Sequence, residues 1–289
     1  MALNIFPDLR GPIVSATNEA LDALISGYGD VFESISDGIL SVLLMIEQSL
    51  RAIPPGLTIF LVMLLAYAAS RKVVFSALVA LGLWFVGALG MWDQAMQTLA
   101  IVLVSVVMSV MIGLPLGIAS ASKAMARRVL MPILDLMQTI PSFVYLIPAA
   151  MLFGLGKVPA IFATVIYAVP PLIRLTDLGI RSVDGAVVEA SRAFGATRWQ
   201  ILGRVQIPLS LPAIMQGINQ TTMMALSMVV IASMIGARGV GETVLLGLQR
   251  NDSGTGLVGG ITIVILAVLI DRITQSYGIR LQRHRGAGV

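Results

Sequence analysis

Side chains able to carry acid–base, nucleophilic or metal chemistry are few in this chain and do not cluster. Cysteine is absent, the single histidine, His284, sits alone in a basic tail, and no pair of carboxylates shares an apolar run. A catalytic or metal centre needs such groups converging on one point, so neither has a candidate here. What is concentrated is a docking chemistry. From Arg174 to Ile207 a polar, arginine-rich interval separates long apolar stretches, and inside it runs Glu189-Ala190-Ser191-Arg192-Ala193-Phe194-Gly195. Ala190, Ser191, Ala193 and Ala196 keep one surface small enough for another backbone to approach. Glu189 is expected near a helix N-terminus, where a carboxylate suits the dipole, and Gly195 permits the left-handed backbone that ends a short helix. Residues 187–194 are expected to form one or two helical turns and residues 197–205 to resume helical spacing. The product is a helix-turn-helix elbow, a short lever that can sit in a partner's cleft.

The elements that position this lever are solvated mostly by lipid. Mean hydropathy is +0.93, and 57% of residues are hydrophobic against 12% charged, where soluble domains are about one quarter charged. Spans of about 20 residues divide this length into about six to eight crossings. The net charge of +4 lies in short clusters between apolar runs, which reads as topogenic charge rather than a nucleic-acid surface. No basic n-region, apolar core and small-residue cleavage site open the chain, so the first span is expected to direct insertion. Before Pro54-Pro55-Gly56, residues 21–50 repeat apolar positions with helical spacing, and the opposite face carries Asp22, Asp30, Glu33, Asp37 and Glu47. Interfacial helices usually favour lysine and arginine on the polar face, so this acidic helix is expected to pack on the protein's own outer rim. The proline pair then breaks the helix.

The fold class expected is an all-α integral membrane protein of about seven transmembrane helices plus this N-terminal amphipathic helix. The spans read as 57–70, 73–91, 96–119, 132–153, 158–173, 209–235 and 257–277, the first and fifth short. The chain divides into an acidic extracytoplasmic segment at 1–55, a transmembrane domain at 56–279 with a cytoplasmic loop at 174–207, and a basic tail at 280–289. Arg71 and Lys72, then Lys123, Arg127 and Arg128, then the arginines of the loop, and finally Arg280, Arg283 and Arg285 fall on one side of such a topology. Positive loops stay in the cytoplasm, which puts the N-terminus outside and the C-terminus inside.

Polar and aromatic residues within the spans are the second set of candidates. Phe143 and Tyr145 stand between Pro141 and Pro148 in a span expected to be irregular, and irregular backbone at membrane depth is tolerated where it is buried or lines a cavity. Asn219, Gln220, Thr221 and Thr222 form a polar cluster; lining of a pathway and hydrogen bonding between helices both account for it. Phe143, Tyr145, Asn219, Gln220 and Thr222 are the candidate translocation residues. Asp135 with Gln138 reads as a solvated helix start, and Asp271 with Arg272 as a snorkelling pair. No G-x-x-x-x-G-K-[ST] appears, since Gly154-Leu155-Gly156-Lys157 lacks the upstream glycine and the following hydroxyl. The sequence thus carries no phosphate-binding loop of that kind.

The loop resembles that of the permeases of ATP-driven (ABC-type) importers, which carries Glu-Ala-Ala, three residues, Gly, nine residues, then Ile-x-Leu-Pro. Glu189, Ala190, Ser191, Gly195, Val205, Ile207 and Pro208 fall at those spacings, with Ser191 for the second alanine and aliphatic substitutes at Val205 and Ile207. The stretches 134–148, 153–156 and 219–237 are similar to one branch of that family, the permeases for glycine betaine, proline betaine and choline. The resemblance implies a type I ABC importer permease fold in a bacterial plasma membrane and a permease homodimer. It also implies a cytoplasmic ATPase that uses ATP and Mg, an extracytoplasmic substrate-binding protein, and uptake responding to osmotic stress. A quaternary ammonium donates no hydrogen bond and is recognised by aromatic faces, an expectation that touches Phe143 and Tyr145. A permease for another small solute, an amino acid or a sulfonate, would share the loop. An integral-membrane enzyme is the remaining alternative, and it lacks a nucleophile, base or metal cluster.

Overall fold

A computed structural model describes residues 9–286, with side chains described for residues 9–276. Residues 1–8 of the acidic segment and residues 287–289 of the basic tail lie outside the described residues. Those described are helical, and no strand occurs among them. The helices are α1 (Arg10–Ala52), α2 (Pro55–Ser70), α3 (Val73–Ala88), α4 (Trp92–Ser122), α5 (Ala124–Thr139) and α6 (Leu146–Phe153), then α7 (Lys157–Arg181), α8 (Gly185–Ala193), α9 (Arg198–Ile201), α10 (Ile207–Ala232), α11 (Val240–Gln249) and α12 (Ser253–Gly286).

Among the described residues four segments are long and apolar enough to cross a membrane, within 92–122, 157–181, 198–235 and 253–276, and counting each of two bent pairs as one crossing gives six. α3 is apolar but has only 16 residues. The span read at 132–153 is irregular, as its prolines led one to expect, and its two halves are separate helices. α5 ends at Thr139, a 3-10 turn occupies Ser142–Tyr145, and the second half leaves at 108° to the first. Pro141 is the cause, because the ring disfavours helical backbone in the residue before it, and Ile140 is extended at φ −73, ψ 128. Ile53 before Pro54 is extended in the same way, and α1 and α2 meet at 103°. The fifth span does not stop at residue 173 either: α7 continues to Arg181, so the first part of the polar interval belongs to a membrane helix. Between the last two spans lies α11, to which the sequence pattern assigned no element.

The core forms where α7 packs between α4 and α10. Gly113 and Gly117 on α4 face Val169, Leu172 and Thr176 of α7, and Gly217 on α10 faces Leu172 and Leu175. Small residues let backbones approach, which is the main source of helix–helix attraction in lipid. Thr221 Oγ on α10 donates to the Ala168 carbonyl of α7 at 2.9 Å, beside the Pro170-Pro171 pair. A second cluster joins α2, α3, α4 and α12 through Ala66, Val79, Leu83, Met96 and Leu266.

α1 extends the expected amphipathic helix at both ends. Its C-terminal part does pack on the protein: Leu43 is fully buried, and Phe32 meets Phe153 edge-on with ring centroids 5.6 Å apart. The buried Glu47 accepts from Lys157 Nζ at 2.5 Å, and Arg51 links Glu47, at 3.7 Å, to Asp93, at 3.1 Å. Ahead of α12, Asp252 accepts from the backbone N–H groups of Gly254 and Thr255 at 3.1 Å. Its hydrogen bonds to Thr255 hold its carboxyl below the usual aspartate range.

A Cβ at residue 117 would stand 2.6 Å from Thr176 Cβ, whereas one at Gly29 meets nothing within 4 Å. Gly117→Leu is therefore expected to lower stability by about 1–3 kcal/mol through overpacking, while Gly29→Ala raises it by about 0.5–1 kcal/mol. Thermal unfolding of the two detergent-purified variants checks the contrast; equal midpoints would refute the close α4–α7 contact.

Candidate coupling loop and translocation site

The exposed part of the polar interval begins after α7, at Ser182. Asp184 opens α8, its side-chain Oδ1 accepting from Ala186 N–H at 2.9 Å. That corrects the place given to Glu189: the carboxylate at the helix N-terminus is Asp184, and Glu189 lies in the middle of α8. Aspartate ahead of an apolar turn is an N-cap signal, so this was readable. α8 ends at Ala193, and Gly195 adopts φ +82, a conformation that L side chains rarely take. Thr197 then starts α9 with a capping box: its Oγ accepts from Gln200 N–H at 3.3 Å, and Gln200 Oε1 accepts from Thr197 N–H at 2.8 Å. A π-helical turn at Leu202–Gln206 joins α9 to α10. The chain thus makes the expected elbow, with both short helices fixed by their own caps.

Glu189, Ala190, Ala193 and Gly195 are exposed, and Ser191 and Ala196 are partly so. Ser191 Oγ is used within the helix, donating to the Val187 carbonyl at 2.8 Å. Two aromatic residues outside the candidate set are the most prominent: Phe194 is 93% exposed and Trp199 78% exposed. Their signal was an aromatic in an otherwise polar interval.

Beneath the elbow the last turns of α7 carry charges that other helices hold. Asp177, 3% exposed, accepts from Ser120 Oγ of α4 at 2.9 Å and from Arg127 Nε of α5 at 3.3 Å. Arg174 pairs with Asp135 of α5. Asp135, with its side chain 67% exposed, is solvated as expected, but it lies in the second half of α5 rather than at a helix start and is half of an ion pair.

The candidate translocation residues do not form one constellation. Phe143 is 55% exposed, whereas Tyr145 is buried and donates to the Met137 carbonyl at 2.5 Å. Asn219 is buried and its Nδ2 donates to Asp271 Oδ1 at 2.9 Å, so this polar group bonds between helices. Thr222 is buried and donates to Ile218 within its own helix, while Gln220 is exposed. Asp271 also accepts from Gln275 Nε2 at 2.7 Å. Its partners are thus Asn219 and Gln275, which corrects the pairing with Arg272. Among the described residues no group of His, Cys, Asp and Glu is placed to hold a metal ion.

Apolar spanning helices, the close α4–α7–α10 packing and a capped, exposed elbow between α7 and α10 define a membrane permease subunit. Residues 113–282 match the family described as binding-protein-dependent transport system inner membrane component. The chain is 46% identical over 275 residues to the glycine betaine/proline betaine transport system permease protein ProW of Escherichia coli (strain K12), covering 95% of this chain and 77% of that protein. It is 42% identical to the glycine betaine transport system permease protein OpuAB of Bacillus subtilis (strain 168), covering 96% and 98%. Identity is 43% with the glycine betaine/carnitine transport permease protein GbuB of Listeria monocytogenes, covering 92% and 95%. Among solved structures, an inward-facing MetNI methionine ABC transporter superposes with TM-score 0.58 at 26% identity, covering 65% of this chain and 92% of that one. The chain belongs to the binding-protein-dependent inner-membrane permease family and has the type I ABC importer permease fold.

Charge satisfaction beneath the elbow can be tested by an asymmetry. Arg127 is 45% exposed on its side chain and Asp177 only 4%. Arg127→Gln strands a buried carboxylate and is expected to cost roughly 2 kcal/mol, whereas Asp177→Asn leaves an arginine that can turn to water and costs less. The double variant should recover most of the Arg127→Gln loss; additive losses in thermal unfolding would show that the two groups act independently.

Proposed function

We propose that this chain forms the translocation pathway of an ATP-driven importer for a quaternary ammonium solute: glycine betaine, proline betaine, choline or a related compound. The observation that carries this reading is 46% identity over 95% of the chain to a glycine betaine/proline betaine permease, with similar likeness to two further glycine betaine permeases. Such a machine comprises two copies of this permease, cytoplasmic ATPase subunits that use ATP and Mg, and an extracytoplasmic substrate-binding protein. The chain itself binds no nucleotide and does no chemistry. Its N-terminus lies outside the bacterial plasma membrane and its C-terminus inside, with residues 1–55 extracytoplasmic, 56–279 the transmembrane domain and 280–289 a cytoplasmic tail.

In this reading Glu189, Ala190, Ser191, Ala193, Gly195 and Ala196 meet the ATPase. α8 is short, capped at Asp184 and turned at Gly195, so a push on it moves the end of α7 and the start of α10 instead of being absorbed by a slack loop. Phe194 and Trp199 flank the small surface and supply apolar anchors of the kind that dominate interface energies, while Glu189 sets register. Asp177 and Arg174 would pass movement of α7 to α4 and α5. Phe143 and Gln220 keep free surface for a passing solute. Tyr145, Asn219 and Thr222 support the pathway by holding helices.

A second reading, an amino-acid substrate, is favoured by one observation, the superposition on a methionine transporter. Its lower identity and coverage place it behind the first.

Two measurements separate these readings. With the permease reconstituted beside its ATPase and binding protein, glycine betaine or another quaternary ammonium compound is expected to stimulate ATP hydrolysis. Stimulation by methionine or another amino acid alone would overturn the betaine assignment. Glu189→Lys and Gly195→Val should each insert normally yet weaken ATPase association or coupled hydrolysis on the order of tenfold; wild-type transport in both would remove the loop from the coupling path.

A further inference from the structure

α3 and α12 pack antiparallel, and a groove of about 500 Å³ opens between them toward the outside of the molecule. Its walls are Phe75, Leu78, Val79 and Gly82 from α3 and Val264, Ile265, Val268 and Leu269 from α12, and Arg272 closes one end. Gly82 lies against Ile265 and Leu269, where an added Cβ would come within 3.3 Å of Ile265 Cγ2. That register sets Phe75 beside Arg272, so the α2–α3 turn lies at the arginine end of the groove.

Charge is distributed unevenly at that end. Arg71 closes α2 in a left-handed conformation, φ 55, and Lys72 directly precedes α3. Arg71, Lys72 and Arg272 are all exposed, and among the described residues none of the three takes part in an ion pair. The one nearby carboxylate in sequence, Asp271, is committed to Asn219 and Gln275 on the inner side of α12. Among the described residues, then, Arg272 at the end of the apolar trough and Arg71 and Lys72 in the adjoining α2–α3 turn are three exposed cations outside any ion pair.

We infer that this groove binds an anionic phospholipid, with an acyl chain along α3 and α12 and the headgroup phosphate on Arg272, Arg71 and Lys72. Any apolar face in a bilayer is wetted by acyl chains, but concavity and an unpaired cationic end together select for a lipid of net negative charge. Arginine forks onto phosphate oxygens through two parallel N–H groups, and lysine adds a point charge. Basic pockets between membrane helices recognise anionic headgroups through these contacts, with each cation near the surface worth about fivefold in binding. A zwitterionic lipid fills the same trough with its chain but gains less at the head, because its own ammonium competes for the phosphate. The inference needs only the membrane embedding of α3 and α12 and is independent of the solute carried.

The test uses the full chain in detergent, exchanged into vesicles of equal parts phosphatidylglycerol and phosphatidylcholine, re-extracted gently and weighed with its bound lipid by native mass spectrometry. Wild type is expected to retain phosphatidylglycerol preferentially. Arg272→Gln should lower that preference about fivefold and Arg71→Gln/Lys72→Gln further, while Leu78→Trp, which fills the trough, should reduce retention of both lipids. Equal retention of the two lipids by wild type, or an unchanged preference in the triple cation variant, overturns the site. The absence of native cysteine permits one more control: a single Leu78→Cys that forms a disulfide-linked dimer in high yield would put a second copy of the chain in the groove and exclude lipid.

Discussion

Lipid offers α7 no water and no spare donors, so its prolines, its lysine and its buried aspartate have to be satisfied by the helices that surround it. Small residues on α4 and α10 make that feasible by bringing those helices within backbone distance of Leu172 and Thr176. Lys157 at one end is held by Glu47, and Asp177 at the other by Ser120 and Arg127. Removing Lys157 or Arg127 leaves a buried carboxylate short of its cation, which is why α7 and its neighbours are best regarded as a unit.

That unit ends directly in the exposed elbow. Asp177 is the last buried charge before α8, and α8 is itself capped by Asp184 and stopped by the left-handed Gly195. The elbow therefore has little internal freedom, and its exposed aromatics are presented on a short, well-defined lever. On the far side the elbow continues through a π-helical turn into α10, whose Thr221 bonds back to α7. The elbow is joined to both helices by covalent continuity, and α7 is tied to α4 by the Ser120–Asp177 hydrogen bond and to α5 by the ion pairs of Asp177 with Arg127 and of Arg174 with Asp135.

A membrane protein of this kind divides its polar groups by where they can find partners. Asn219 and Asp271 meet across α10 and α12, and Tyr145 reaches the carbonyl of Met137 across the bend at Pro141. Each consumes a polar group in holding helices together, which leaves few to touch a solute. The cations at the α2–α3 turn and at Arg272 are the opposite case, exposed beside apolar surface and in no ion pair among the described residues.

Composition and periodicity by themselves determined the helical membrane class, the acidic N-terminal helix and the elbow around Gly195. These are local properties: apolar runs need lipid, prolines stop helices, and a glycine ahead of a threonine cap marks a turn. The spacing of Glu189, Ala190, Ser191 and Gly195 was sufficient to point to the permease family before any packing was known. Only the tertiary structure decided that the irregular span at 132–153 bends by as much as 108° and that α7 runs on to Arg181. It alone shows that Asp135, Asp177 and Asp271 are partnered by Arg174, Arg127 and Asn219 respectively. Those outcomes depend on contacts between residues 39 to 52 positions apart, and a pattern that repeats every few residues carries no information about which distant helix will supply the partner.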